Sequence, residues 1–186
     1  MKKLPIFLLL IVIIGLTFSC KTEKAKPLIE ANNVDADSLT AGDTTVYGVM
    51  IDGGMNSIVL LTDVGDTLVY IQHPDDSIDV VKGGKLEGDR FAIIGYKEYG
   101  DLILRNAINL TSLLGNWTSI DKDFEIKEGG KIVSNNHAER NAWTSWKIYN
   151  GKLVLSKDTF EILTLNDSMA LENQNGIFMF NRKTKR

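Results

Sequence analysis

Short apolar runs, separated by polar and turn-forming residues, fill the chain from Thr45 to its end, with the spacing of strands rather than helices. The first five are "TVYGVMI", "SIVLLT", "TLVYIQ", "RFAIIGY" and "LILRNAI", rich in β-branched and aromatic residues. "DGGMN", "DVGD" and "KEYGD" between them are hairpin chemistry. The longest connection, "HPDDSIDVVKGGKLEGD", falls between the third and fourth runs. This rhythm predicts a small OB-like five-stranded barrel, although the connection is too rich in glycine for the helix usual there. In "SIVLL" and "FAIIG" both alternating faces are apolar. One face fills the barrel, so the other is expected to pack on the second half of the chain.

At "NLTSLLGNWTS" the pattern breaks. Thr111 or Ser112 is expected to cap one helical turn through Leu113 and Leu114, which Gly115 ends. Strand patterning then resumes in "NWTSI", "FEIKE", "KIVS", "WTSWKIY", "KLVLS", "FEILTL", "SMALE" and "IFMFNR". Asn150–Gly151 is the strongest hairpin signal, because both positions tolerate positive φ. Eight short strands in up-and-down order suit a meander closing into a barrel. The fold class expected is all-β, with an OB-like module over 44–109 packed on an eight-stranded antiparallel barrel over 110–186.

"WTSWKIY" sharpens the question of what the aromatics do. Read as one strand, it points Trp143 and Trp146 to opposite sides. One is core, and the other is either a lid on the neighbouring module or part of an exposed aromatic surface. Trp143, Trp146 and Tyr149 are therefore the candidate ligand or interface aromatics, for a glycan, lipid or protein contact.

The N-terminal region has a different character. Leu4 to Phe18 is apolar throughout and follows Lys2 and Lys3. It is shorter than the roughly 20 residues a spanning helix needs, so it reads as the h-region of an export signal. The segment "LTFSC" ends on Cys20, the single cysteine of the chain, and polar "KTEKAK" follows. That arrangement resembles the lipobox of bacterial lipoproteins. It departs from the usual form in having Ser19 where Ala or Gly is commoner, and Leu16 one place early. The resemblance implies that residues 1–19 are a lipoprotein signal peptide and that Cys20 is the site of lipid attachment. Acyl chains would then anchor the protein in the membrane, and two or three hold far more firmly than one. Residues 20–43, polar and carrying Pro27, read as a flexible tether. Lys21 follows the cysteine, so the aspartate that favours inner-membrane retention in some bacteria is absent. The expected location is the cell envelope, in the outer membrane, facing periplasm or cell surface.

Removing residues 1–19 deletes Lys2 and Lys3, and the charge moves from 21 − 24 = −3 to 19 − 24 = −5. An acidic chain is a poor partner for nucleic acid, whose binding rests on basic residues at phosphates. Catalysis finds no setting either. His73 precedes Pro74 and His137 sits in "NNHAER", neither beside a nucleophile, and no Gly-x-Ser-x-Gly elbow occurs. "HPDDSID" brings His73, Asp75, Asp76 and Asp79 close in sequence, but without the spacing of a calcium loop. No enzyme activity, cofactor or metal is expected.

The helical turn running into Gly115–Asn116–Trp117, followed by a meander ending in the Arg-bearing "FMFNR", resembles a lipocalin-like domain, as found in envelope lipoproteins. The resemblance implies that Trp117 plugs one barrel end and that Arg182, from the last strand, stacks across it as a structural pair. It also implies that the barrel holds a small apolar ligand at its open end. Against this, most strands are short, and Trp117, Phe124, Trp146, Phe160 and Phe178 or Phe180 compete for an interior only just wide enough for side chains or one small ligand. The alternative function is a non-catalytic structural module that meets another envelope protein.

Overall fold

The computed structural model describes residues 42–74, 79–136 and 139–183. Cys20, the signal and most of the tether lie outside them, as do Asp75, Asp76 and His137. In chain order the elements are β1 (Val46–Asp52), β2 (Ser57–Thr62), β3 (Thr67–Gln72), β4 (Val81–Lys82), β5 (Arg90–Glu98) and β6 (Asp101–Asn109). One helical turn, α1 (Leu110–Leu113), leads to β7 (Gly115–Thr118), β8 (Asp123–Lys127), β9 (Lys131–Ser134) and β10 (Trp146–Tyr149). The last four strands are β11 (Lys152–Leu155), β12 (Asp158–Leu165), β13 (Ser168–Asn173) and β14 (Gly176–Arg182).

The first sheet runs β3-β2-β1-β5-β6, and a parallel pairing of β3 with β6, Tyr70 opposite Leu102, closes it into a five-stranded barrel. Its order is OB-like. The short β4 continues that parallel edge where β3 has left it, with Val81 opposite Ala107. Inward-pointing Met50, Ile58, Leu60, Tyr70, Phe91 and Ile93 form its core. Gly95 sits where a Cβ would lie 2.6 Å from the Tyr70 ring, so the strand can pass over that ring only without a side chain.

The second sheet is a meander whose order, β10-β11-β12-β13-β14-β7-β8-β9, brings the last strand back to the first. The ends β9 and β10 meet through a single bridge, Lys131 to Ser145, flanked by Ile132 N–H to Thr144 O (3.0 Å) and Trp146 N–H to Gly130 O (2.8 Å). The eight strands thus make a nearly closed antiparallel barrel. The Asn150–Gly151 turn forms as its sequence dictates, with φ of 47° and 72°.

The two barrels share a packed seam. Ala92 and Ile108, on the outer side of β5 and β6, belong to the core of the second barrel, with Tyr47 packed against it. Tyr47 Oη donates to Ile148 O (2.9 Å), and Asn106 Nδ2 donates to Gly151 O (2.8 Å). Burial, with the nearby Asp43 carboxylate, pushes the Tyr47 phenol far above its ordinary value. The outer face of "FAIIG" is covered as expected, but that of "SIVLL" is not: Leu61 is 41% exposed, because the second barrel reaches only the β1, β5 and β6 side. Gly42 and Asp43, at the end of the segment read as tether, are bound to the tip of the second barrel. Asn150 Nδ2 donates to Gly42 O (2.8 Å), and Asn150 N–H donates to Asp43 Oδ1 (3.0 Å).

The cap of α1 is not Thr111 or Ser112. Asn109 takes that place, its Oδ1 accepting from Ser112 N–H at 2.9 Å. Thr111 Oγ1 is used elsewhere, accepting from Arg90 N–H at 3.0 Å.

Candidate functional site

Trp117 and Arg182 are brought together by strand register. They are direct cross-strand partners in the two-rung pairing of β7 with β14, so both side chains leave the same face. The guanidinium carbon lies 4.3 Å from the centre of the Trp117 ring. Trp117 is completely buried, and its Nε1 donates to Leu113 O at 3.0 Å. Arg182 Nη1 donates to Leu114 O (2.9 Å) and Nη2 to Ser112 O, so one side chain satisfies two carbonyls at the end of α1. Partial burial lowers the Arg182 guanidinium below its ordinary pKa, and the Asp167 carboxylate opposes that shift. Gly115, the first residue of β7, at φ 123°, would place a Cβ 3.0 Å from Arg182 Nη1, so its lack of a side chain leaves room for the guanidinium.

Behind this end, aromatic rings occupy the barrel. Phe124 meets Trp143 and Phe180, each at 5.3 Å between centroids and edge to face. Trp143 meets Phe160 at 5.7 Å, and Phe160 meets Phe178 at 5.7 Å. Each such pair adds about 0.5–1.5 kcal/mol beyond its buried area, so the rings form a continuous chain of contacts through the barrel.

The expectation that Trp143 and Trp146 diverge is corrected. Trp143 precedes β10 and is not in the strand, so alternation does not govern it, and both indoles are buried in one core. Trp146 Nε1 donates to Lys127 O (2.7 Å) and Trp143 Nε1 to Asp158 Oδ2 (3.0 Å), satisfying both polar tips. Lys122 lies 4.2 Å over the Trp143 ring and pairs with Glu139. Neither indole therefore belongs to an exposed aromatic surface. Tyr149 is half-buried, near Gly42, with Lys147 Nζ 5.6 Å from its ring centre.

Concavities among the described residues lie elsewhere. One of about 370 Å³ is lined by Val80, Tyr96, Leu104 and Arg105 of the first barrel. Another, about 610 Å³, lies between hairpin turns of the second and is lined by charged and amide side chains such as Lys152, Lys157, Glu161 and Glu172. Glu161 and Glu172 face each other across β12 and β13. Among the described residues, no group of three or more His, Cys, Asp or Glu gathers as a metal site. His73 Nε2 is 3.8 Å from Glu98 Oε2, and Asp79 Oδ1 accepts from Val81 N–H at 3.0 Å.

Two polar residues that sequence reasoning passes over are buried here. Asn109 Nδ2 donates to Asp89 Oδ2 (2.6 Å), tying the 83–89 loop to the barrel junction. The only signal for it was Asn at the edge of an apolar turn, a capping residue hidden inside a strand-like run. Arg90 is 5% exposed and forms a two-pronged pair with Asp63, one prong at 2.8 Å. Nothing local to "DRF" marks that arginine as buried. Comparisons with family models, curated proteins and solved structures find no match to this chain.

Proposed function

We propose that this chain is an envelope lipoprotein, held to the membrane by acyl chains on Cys20, whose two barrels act through their surface as a non-catalytic interaction module. The observation that carries the surface reading is the ring packing inside the larger barrel. Phe124, Trp143, Phe160 and Phe180 meet edge to face inside the barrel, where a lipocalin-type ligand, which needs a cavity on the order of 300 Å³ or more, would sit. A lipocalin-like barrel does not by itself bring a ligand, because fold alone does not transfer function. The seam supports the module reading as well, because Tyr47, Asn106 and Asn150 tie the two barrels into one block.

Photo-crosslinking in native membranes, with the probe placed at exposed positions of either barrel, tests the partner. A discrete protein adduct is expected, and adducts to lipid alone would overturn the reading. Native mass spectrometry of the mature chain is the complementary measurement. A bare protein mass is expected, whereas an extra mass lost on denaturation would return the function to ligand binding. Replacing Cys20 by Ala is expected to abolish acyl labelling.

A further inference from the structure

We propose that the end of the first barrel at which the chain enters faces the lipid bilayer, with Tyr99 and Val64 as its contacts at headgroup level. This rests on the anchor at Cys20. β1 runs from Val46 to Asp52, and Gly48 stands opposite Thr62, so the turn after β2 lies at the entry end. β5 passes Val46 at Ile93 and continues to Glu98, so the Tyr99–Gly100 turn projects from that end too. The two turns are neighbours, because β3 pairs directly with β6.

Tyr99 is fully exposed and Val64 is 85% exposed. Tyr99 also has φ 49°, a left-handed conformation that Asn or Gly adopts with far less strain. The hairpin tip therefore tolerates strain while presenting an aromatic ring to its surroundings. Leu61 and Val69, on neighbouring β2 and β3, extend the exposed apolar surface on the side away from the second barrel.

The length of chain outside the structure selects the occupant. Twenty-one residues separate Cys20 from Gly42. On the tether reading of the sequence, a span of that length has a root-mean-square reach of about 25 Å, which would hold the entry end within one small-domain diameter of the bilayer. Exposed Met55 and Leu86, with the less exposed Ile51 and Ile71 at the far ends of β1 and β3, sit toward the opposite end. Lys85 Nζ bonds Gly54 O at 2.8 Å and fixes those two loops together there. A phenol, with an apolar body and a polar tip, suits the membrane–water interface. Exposed Lys97 is offset by Asp66 and Asp101, so the contact needs no anionic lipid.

The test uses the full chain, purified with its acyl chains and reconstituted into phosphatidylcholine vesicles carrying brominated acyl tails. Tyr99→Trp, Val64→Trp and Met55→Trp each add one indole to the buried Trp117, Trp143 and Trp146, whose signal is subtracted using the parent protein. Flotation and intact mass are read on the same samples. The expected result is flotation with loss of emission at positions 99 and 64 and none at 55. Flotation with no quenching, or with equal quenching at all three, would overturn the orientation while leaving the anchor intact. Failure of the acylated mass and of flotation would overturn the anchor itself, and the orientation with it.

Discussion

Arg182 stands directly across from Trp117 in the β7–β14 pairing, its guanidinium 4.3 Å from the indole centre while its nitrogens bond two carbonyls of the preceding helical turn. One side chain thus joins the first strand, the last strand and the turn between the barrels. Only two rungs pair β14 with β7, and this residue reinforces closure on that side.

Arg182→Lys keeps the charge but not the planar fork, which alone can stack on the ring and reach two carbonyls at once. It is expected to destabilise the fold by about 1–2 kcal/mol, the size of a cation–π contact plus one hydrogen bond. Urea denaturation of the two proteins measures this. A midpoint equal to the parent's would show that the stack contributes nothing.

Trp143→Ala removes a ring that touches Phe124, Phe160 and Phe180 together. A loss of about 3–5 kcal/mol is expected, as for other buried aromatic truncations. The cavity it leaves should take up a small apolar probe that the parent excludes. Binding of the probe by the parent would mean that the barrel already holds usable space.

Asn150 plays two roles that substitution separates. Its φ of 47° makes the turn, and its side chain bonds Gly42 O and accepts from Thr44 N–H at 2.9 Å. Asn150→Gly keeps the turn and loses the bonds, at an expected cost of about 1 kcal/mol, while Asn150→Ala loses both and should cost more. Hydrogen exchange at residues 42–45 should rise in both variants. Unchanged protection there would remove Asn150 from the role of clamp.

Titration should show two opposite dependences. Hydrogen bonds from Lys183 and Asn135 hold the Asp123 carboxyl below the ordinary carboxylate value. Its contribution is present above the unfolded-state value and fades as pH falls through the lower folded one, so Asp123→Asn should flatten the acid limb of stability. Tyr47 is shifted upward by burial, so its contribution is complete below about pH 10 and is lost as pH rises beyond that. Tyr47→Phe should remove part of the alkaline loss while weakening the seam through its missing bond to Ile148 O. Thermal melts between acid and alkaline pH measure both.

How much of this was legible depends on whether the signal was local. "SIVLLT", "TLVYIQ" and "KIVS" match β2, β3 and β9 residue for residue, because each is an apolar run closed by turn residues on both sides. β4 escaped notice, since two residues carry no period and its pairing partner lies far along the chain. Trp143 was misread for a related reason. "WTSWKIY" looks like one strand, yet its first three residues arch over the gap between β9 and β10, where the aromatic core draws the indole inward. Arg90 was passed over because its carboxylate partner, Asp63, sits in a turn of another hairpin.

The sequence by itself determined the all-β class, the alternating strands, the Asn150–Gly151 turn and the passage from one sheet to the other near residue 110, since each follows from short-range sterics and the period of apolar positions. Tertiary structure decided the rest. Closure through β3–β6, the buried Arg90–Asp63 pair, the seam at Tyr47 and a barrel filled with rings all join residues distant in sequence. Whether such residues meet depends on register and on the volume left between strands, and no local pattern encodes either.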